Sequence, residues 1–237
     1  MKTLSFIIMI KSEAILLSIN EVYEAINSDD RVRRLMKTVP LNILERMRVR
    51  HFASKQFVLQ QDERYDYTYL LVSGRVKVFL NSPSGKQVVL DVYDPGMFLG
   101  EQEAIIKRPY SASVVNISPV TVLEMKNADF VEWTQKDHYF ADHLIGNLSA
   151  QIYHLTKRME RYSMHSALQQ IGLFLLQCGD GRAPITRERI TYEVDTSYRN
   201  INRVLKRLAD IGVIEISRST IHITDRQTLQ KIIEREE

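Results

Sequence analysis

Four cations between Ser197 and Ala209 are the side chains best equipped to do chemistry in this chain. Arg199, Arg203, Lys206 and Arg207 lie opposite Ile201, Val204, Leu205 and Leu208, which recur at helical spacing. Such a helix packs by its apolar face and offers its cationic face to phosphate or to base edges. With Ser197 as N-cap, Tyr198, Arg199 and Asn202 fall on the first turn or just beyond it, and Arg203 follows one turn after Arg199. Arg199 and Arg203 suit bidentate contact with guanine, and Asn202 suits pairing with adenine. Tyr198, Lys206 and Arg207 are better placed for phosphate. Thr186, Arg187, Ser197 and Asn200 complete the expected DNA-facing set. A solvated basic helix on an ordinary α/β domain would carry the same charges, so the flanking elements must decide.

Those elements favour DNA. Ile185–Val194 reads as a short helix that Thr186 can cap, and Asp195-Thr196-Ser197 as a tight turn into the basic helix. Together they make a helix-turn-helix, whose second helix enters the major groove by its first residues. Gly212 ends that helix, and Val213–Ile223 gives two short alternating runs around Arg218-Ser219, the hairpin of a winged domain.

The whole chain is unexceptional in composition: 237 residues, 44% hydrophobic, 26% charged and a formal net charge of +3. That is the globular range, with room for two modest domains. From Met164 onward 11 Lys and Arg stand against 10 Asp and Glu, so the basic signal is local to one helix. The single cysteine, Cys178, excludes an intramolecular disulfide and cannot alone hold an iron–sulfur cluster or a structural zinc. A reducing cytoplasm is expected, with Cys178 a small packing residue rather than a redox sensor. His51, His138, His143, His154, His165 and His222 show no spacing that would mark a haem or metal site. There is no phosphate loop ending in Lys-Ser or Lys-Thr, no His-Glu-x-x-His, no Gly-x-Ser-x-Gly and no Cys-x-x-Cys, so an enzyme is not expected.

Leu4–Ile10 has the apolar character of a signal peptide, but Lys11 and Glu13 interrupt it after seven residues. That is far short of the ~20 residues that cross a bilayer. Residues 1–45 are expected to form an N-terminal helical extension that packs on the body or on a partner, with no membrane involvement.

From His51 to about Lys126 the texture becomes short strands: Phe57–Leu59, Tyr67–Val72, Arg75–Leu80, Gln87–Tyr93, Ser111–Val115 and Thr121–Met125. Ser73-Gly74, Asn81–Gly85 and Asp94–Gly96 separate them so closely that consecutive strands should form hairpins, in a closed or double-layered β-roll. A helix follows from about Asn127, continued by a long one from Tyr139 to about Ser163. The long helix carries Phe140, Leu144, Leu148, Ile152, Leu155, Met159 and Tyr162. The stripe can pair with its copy in a homodimer or cover the β-roll, or its first half can do the second and its second half the first.

In this order, β-roll, long helix and winged motif resemble the Crp/Fnr superfamily of bacterial transcription regulators, over roughly residues 45 to 230. The residues carrying the resemblance are Ser73–Val76, Ser84-Gly85, Pro95–Glu101, Ser111-Ala112 and Ile185 to Leu208. Ser197-Tyr198-Arg199 is also similar to the YeiL-like branch. The resemblance implies an α+β chain: extension 1–45, cyclic-nucleotide-binding-like β-roll 46–138, dimerisation helix 139–163 and winged helix-turn-helix domain 164–237. It implies a homodimer bound to double-stranded promoter DNA, with RNA polymerase as a further partner. The alternative is a ligand-binding module whose helical tail docks a protein.

In family members that bind cyclic AMP, a Gly-Glu pair, a short helix and Arg-Ser-Ala supply backbone N–H groups, a carboxylate for the ribose and an arginine for the phosphate. Here Gly100, Glu101, Ser111 and Ala112 match, but Tyr110 stands where the arginine belongs. A buried phosphate would lose its countercharge, at a cost of about 3–5 kcal/mol. On an extended segment Arg108 and Tyr110 point to the same side, which makes Arg108 a substitute. Met159-Glu160 stands where cyclic AMP binders carry a hydroxyl pair. Cyclic AMP is therefore not expected as cofactor. Tyr110 and Met159 should fill the space near Glu101, which either contacts a ligand or closes its own loop by accepting backbone N–H groups.

Overall fold

The computed structural model describes residues 19–81, 87–178, 184–194, 196–218 and 220–235, with the side chains of 161–163 left out. Contacts divide the chain into two units, residues 1–81 with 91–149 and residues 82–90 with 150–237. The fold is α+β.

Among the described residues the first unit opens with three helices, α1 (through residues 19–27), α2 (Asp30–Leu35) and α3 (Leu41–Leu44). Asp29 caps α2 by accepting from the N–H groups of Arg31 and Val32. Strands β1 (Arg48–Phe52), β8 (Val120–Lys126), β3 (Tyr67–Ser73) and β6 (Phe98–Leu99) form one antiparallel sheet. Strands β2 (Val58–Leu59), β7 (Ser113–Asn116), β4 (Val76–Asn81) and β5 (Gln87–Tyr93) form the second. The double-layered roll thus forms, but the expected hairpins need correcting. Among the described strands of the roll, only β4 and β5 are both consecutive and adjacent; Ser73-Gly74 and Asp94–Gly96 carry the chain from one sheet to the other. Turn residues specify a reversal locally, whereas the sheet a strand joins is set by which face it must bury. At the first of these corners Gly74 has φ +81°, and a Cβ there would stand 2.1 Å from the carbonyl oxygen of Pro119.

Alternation on the first sheet gives it two buried faces. Leu70, Val72, Leu123 and Met125 pack with Val22, Ile26, Val32, Met36, Phe130 and Trp133 from the helices, so α1 is part of this core. Helix α5 (Asn127–Lys136) stops at Asp137, whose Oδ2 accepts from the Trp133 indole at 3.0 Å and whose Oδ1 accepts from the Phe140 N–H at 3.1 Å. The chain restarts as α6 (His138–Met164), folding Phe140 flat onto Trp133 with ring centroids 3.5 Å apart.

The second unit holds α7 (Ala167–Cys178), β9 (Ile185–Thr186), α8 (Arg187–Glu193), α9 (Tyr198–Asp210), β10 (Ile214–Ser217), β11 (Thr220–Ile223) and α10 (Arg226–Glu234). One apolar cluster joins them, with Ile171, Leu175, Ile190, Ile201, Leu205, Leu208 and Leu229 all inaccessible to solvent. Gly172 lets α7 approach α10 closely: a Cβ there would lie 2.7 Å from Ile233. The strands form a three-stranded sheet in the order β10-β11-β9, Ile185 opposing Ile221.

Candidate nucleic-acid interface

Helix α8 starts at Arg187, two residues after the segment the sequence assigns to it begins, because Ile185 and Thr186 pair with β11 as strand β9. Thr186 is still the cap: its Oγ1 accepts from the Arg189 N–H at 3.1 Å. Ser197 caps α9 by accepting from the Asn200 N–H at 3.2 Å. The Asn200 amide donates to Thr196 Oγ1 at 2.8 Å and pins the turn to the first turn of α9. Thr186, Ser197 and Asn200 therefore spend these groups on building the motif. Asp195 and Ser219 lie outside the described residues.

Ile201, Val204, Leu205 and Leu208 are buried in the second core, as their spacing predicts. Arg199, Arg203 and Lys206 stand exposed on the opposite side, with Asn202 half-buried and Arg207 exposed on its flanks; Tyr198 is 56% exposed at the first helical position. No carboxylate among the described residues lies within 4.0 Å of the charged groups of Arg199, Arg203 or Lys206. Arg187 is half-buried at the start of α8. Behind the motif, Arg189 lies over the Phe174 ring at 5.7 Å, which ties α8 to α7. Strands β10 and β11 pair Ser217 with Thr220, leaving Arg218 exposed at the tip with φ 50°. The arrangement is a winged helix-turn-helix with an exposed cationic face on its second helix.

The match with known families agrees with this geometry. Residues 169–232 match the Crp-like helix-turn-helix domain, and residues 49–137 match the cyclic nucleotide-binding domain. The chain is a DNA-binding transcription regulator of the Crp/Fnr superfamily. It is 24% identical over 168 residues to the cyclic AMP receptor protein of Thermus thermophilus, covering 69% of this chain and 78% of that one. It is 21% identical over 185 residues to the regulatory protein YeiL of Escherichia coli O157:H7, covering 77% and 84%. In fold it is similar to the c-di-GMP responsive global regulator CLP of Xanthomonas campestris, with a TM-score of 0.66 at 16% identity, covering 81% of this chain and 97% of that one.

In the regulator's β-roll, Gly100, Glu101, Tyr110, Ser111 and Ala112 do come together, around a cavity of about 50 Å³ also lined by Tyr93, Gln102 and Glu103. About 30 Å³ is one water's share of liquid volume, and drug-sized ligand sites run from about 300 Å³. Tyr110 is 4% exposed, and its hydroxyl lies 2.0 Å from where a Gly100 Cβ would be, so only glycine fits beneath it. Burial, reinforced by the carboxylates of Glu103 and Glu101, pushes the Tyr110 phenol up and keeps it neutral. Glu101 is 4% exposed inside the same cavity. Glu103, which the family motif does not single out, accepts from both the N–H and the hydroxyl of Ser111, at 3.0 and 2.8 Å.

One expectation about this pocket is not met. Arg108 is exposed and is not among the lining residues. Alternation does not apply to it, because α4 (Glu101–Ile106) ends in a left-handed residue, Lys107 at φ 55°, which turns the chain before Arg108. Met159, in the second unit, is 70% exposed.

On α6, Phe140 and Leu144 are buried in the first core and Leu148 is half-buried. Ile145, Ile152, Leu155 and Met159 are 62%, 65%, 45% and 70% exposed. With Leu148 they follow a three-four alternation, a heptad seam that starts at Ile145, which the four-residue spacing from Phe140 passes over. The Tyr162 side chain lies outside the described residues. Cys178 is half-buried at the end of α7, where burial pushes its thiol up and keeps it a packing group. Among the described residues no three His, Cys, Asp or Glu side chains cluster as metal ligands, and no helix is long and apolar enough to cross a membrane.

Proposed function

We propose that the regulator works in the cytoplasm as a homodimer on double-stranded promoter DNA, with each α9 in a major groove and RNA polymerase as a further partner. Arg199 and Arg203 read guanine and Asn202 reads adenine. Tyr198, Lys206 and Arg207 hold phosphate, with Arg187 and Thr186 at the start of α8 alongside, while Ser197 and Asn200 position the helix. The observation that carries this reading is the face of α9: three cations aligned opposite a buried stripe, with no carboxylate among the described residues to neutralise them. The proposed boundaries are 1–45, 46–138, 139–163 and 164–237.

The exposed seam Ile145–Met159 supports the dimer, since an apolar strip of this kind marks an interaction surface. The pocket supports control without cyclic AMP, because Tyr110 fills the space and no arginine or lysine among the described residues lines it. The cyclic AMP receptor of Thermus thermophilus is named for that ligand; this chain reads as a regulator with another input or with none. The competing reading, a module whose tail docks a protein, gives no reason for a capped basic helix behind a wing.

Fluorescence anisotropy with promoter fragments at several salt concentrations tests the reading. Binding whose logarithm falls linearly with log salt is expected, because phosphate contacts release counterions. Absence of binding to any promoter fragment at low salt would refute it. Calorimetry with cyclic AMP should show no micromolar binding.

A further inference from the structure

The β-roll pocket differs from an empty site in two ways. Its volume is taken by Tyr110, whose ring packs edge-on against Tyr65 at 5.0 Å and whose hydroxyl sits against Gly100. Its best anion donors, the N–H and hydroxyl of Ser111, are taken by the Glu103 carboxylate. The backbone on either side of Tyr110 is fixed as well: its N–H donates to the Glu63 carbonyl at 2.9 Å, and its carbonyl accepts from the Asp62 N–H at 2.8 Å. The plug is therefore anchored rather than resting in a gap.

We propose that Tyr110 and Glu103 are a built-in occupant of this pocket, the phenol supplying the volume and the carboxylate supplying the charge that an external anionic ligand would bring, so that α4 is held in its bound-like position without ligand. Both groups bear on α4. Gly100 is its N-cap, Glu103 lies in its first turn, and Ala104 is buried in the core that holds Phe130, Trp133 and Phe140. Displacing the occupant must therefore disturb the packing under α5 and the start of α6, the helix that carries the apolar seam. The inference rests on the reading of the chain as a DNA-binding dimer. It adds to that reading that occupancy of the pocket, rather than a diffusible effector, keeps the dimer competent.

The experiment is chemical rescue on the full-length chain. Tyr110→Ala should bind the operator about tenfold more weakly than wild type, within the usual range of allosteric coupling. Added p-cresol, the missing side chain as a free molecule, should enter the cavity and restore the affinity to within about threefold, as small aromatics fill engineered cavities. Wild type should ignore p-cresol. Where the alanine variant does not fold, Glu103→Ala, at a half-exposed position, takes its place: sodium acetate should restore its DNA affinity and sodium chloride at the same ionic strength should not. A folded variant that keeps wild-type affinity, or loses it without recovery by its matched molecule, overturns the proposal. Failure of wild type itself to bind DNA would instead overturn the underlying functional reading.

Discussion

Leu155→Glu on α6 should convert the dimer to monomers. Leu155 is 45% exposed in the isolated chain, so pairing can bury about half of a leucine side chain. At about 1.5–3 kcal/mol for complete burial, the two copies in a symmetric seam contribute about 1.5–3 kcal/mol together. The glutamates add a larger penalty: two carboxylates brought into an apolar strip between Ile152 and Met159. Even a partial desolvation cost of a few kcal/mol takes the total past about 5 kcal/mol, a weakening of about three orders of magnitude or more in dimer affinity. Multi-angle light scattering across a hundredfold range of concentration reads this directly, with circular dichroism as the control for folding. Because Leu155 is not in the first core, the β-roll should remain intact. A folded variant that stays dimeric at the lowest concentration would show that the interface lies elsewhere.

Phe140→Ala removes a fully buried ring stacked on Trp133 and should cost about 3–5 kcal/mol in urea unfolding of the first unit; a cost below about 1 kcal/mol would show that the α5–α6 junction is not a packing centre. Asp137 has a second signature, in pH. Burial opposes its ionisation, but hydrogen bonds from Thr38, the Trp133 indole and the N–H groups of Phe140 and Tyr139 outweigh burial and hold its carboxyl below the usual 3.8. Its stabilisation is therefore present above about pH 4 and lost as pH falls through the lowered value, and Asp137→Asn should flatten the acid limb of the stability profile. An unchanged acid limb would refute the role given to these hydrogen bonds.

The DNA-binding unit was legible because its signals are local. Thr186 and Ser197 are caps, Ile201 to Leu208 is one amphipathic stripe, and Arg218-Ser219 marks a hairpin, each specified within a few residues. What escaped was non-local. Strand β6 is only Phe98 and Leu99, defined by pairing with Tyr69 and Leu70 rather than by any pattern of its own. Strand β1 alternates arginine with valine at a sheet edge, where exposed charge hides the strand signal. Helix α10 carries its signal in its own sequence: Asp225 caps it by accepting from Thr228, and Leu229 and Ile233 are one turn apart. At the pocket, Tyr110 was identifiable as the departure from the family motif, but the pairing of Glu103 with Ser111 depends on where α4 ends. The seam at Ile145 was hidden because α6 turns from one apolar face to another, and a single period fitted through Phe140 and Ile152 merges the two.

The central claim, that α9 reads bases in the major groove, is tested most directly by measuring wild type, Arg203→Ala and Lys206→Ala on a set of single-base operator variants at two salt concentrations. Arg203→Ala should lose about 1–3 kcal/mol and relax discrimination at one base pair per half-site. Lys206→Ala should weaken all sequences alike and lower the salt slope by about one. Identical sequence profiles for wild type and Arg203→Ala would contradict the account.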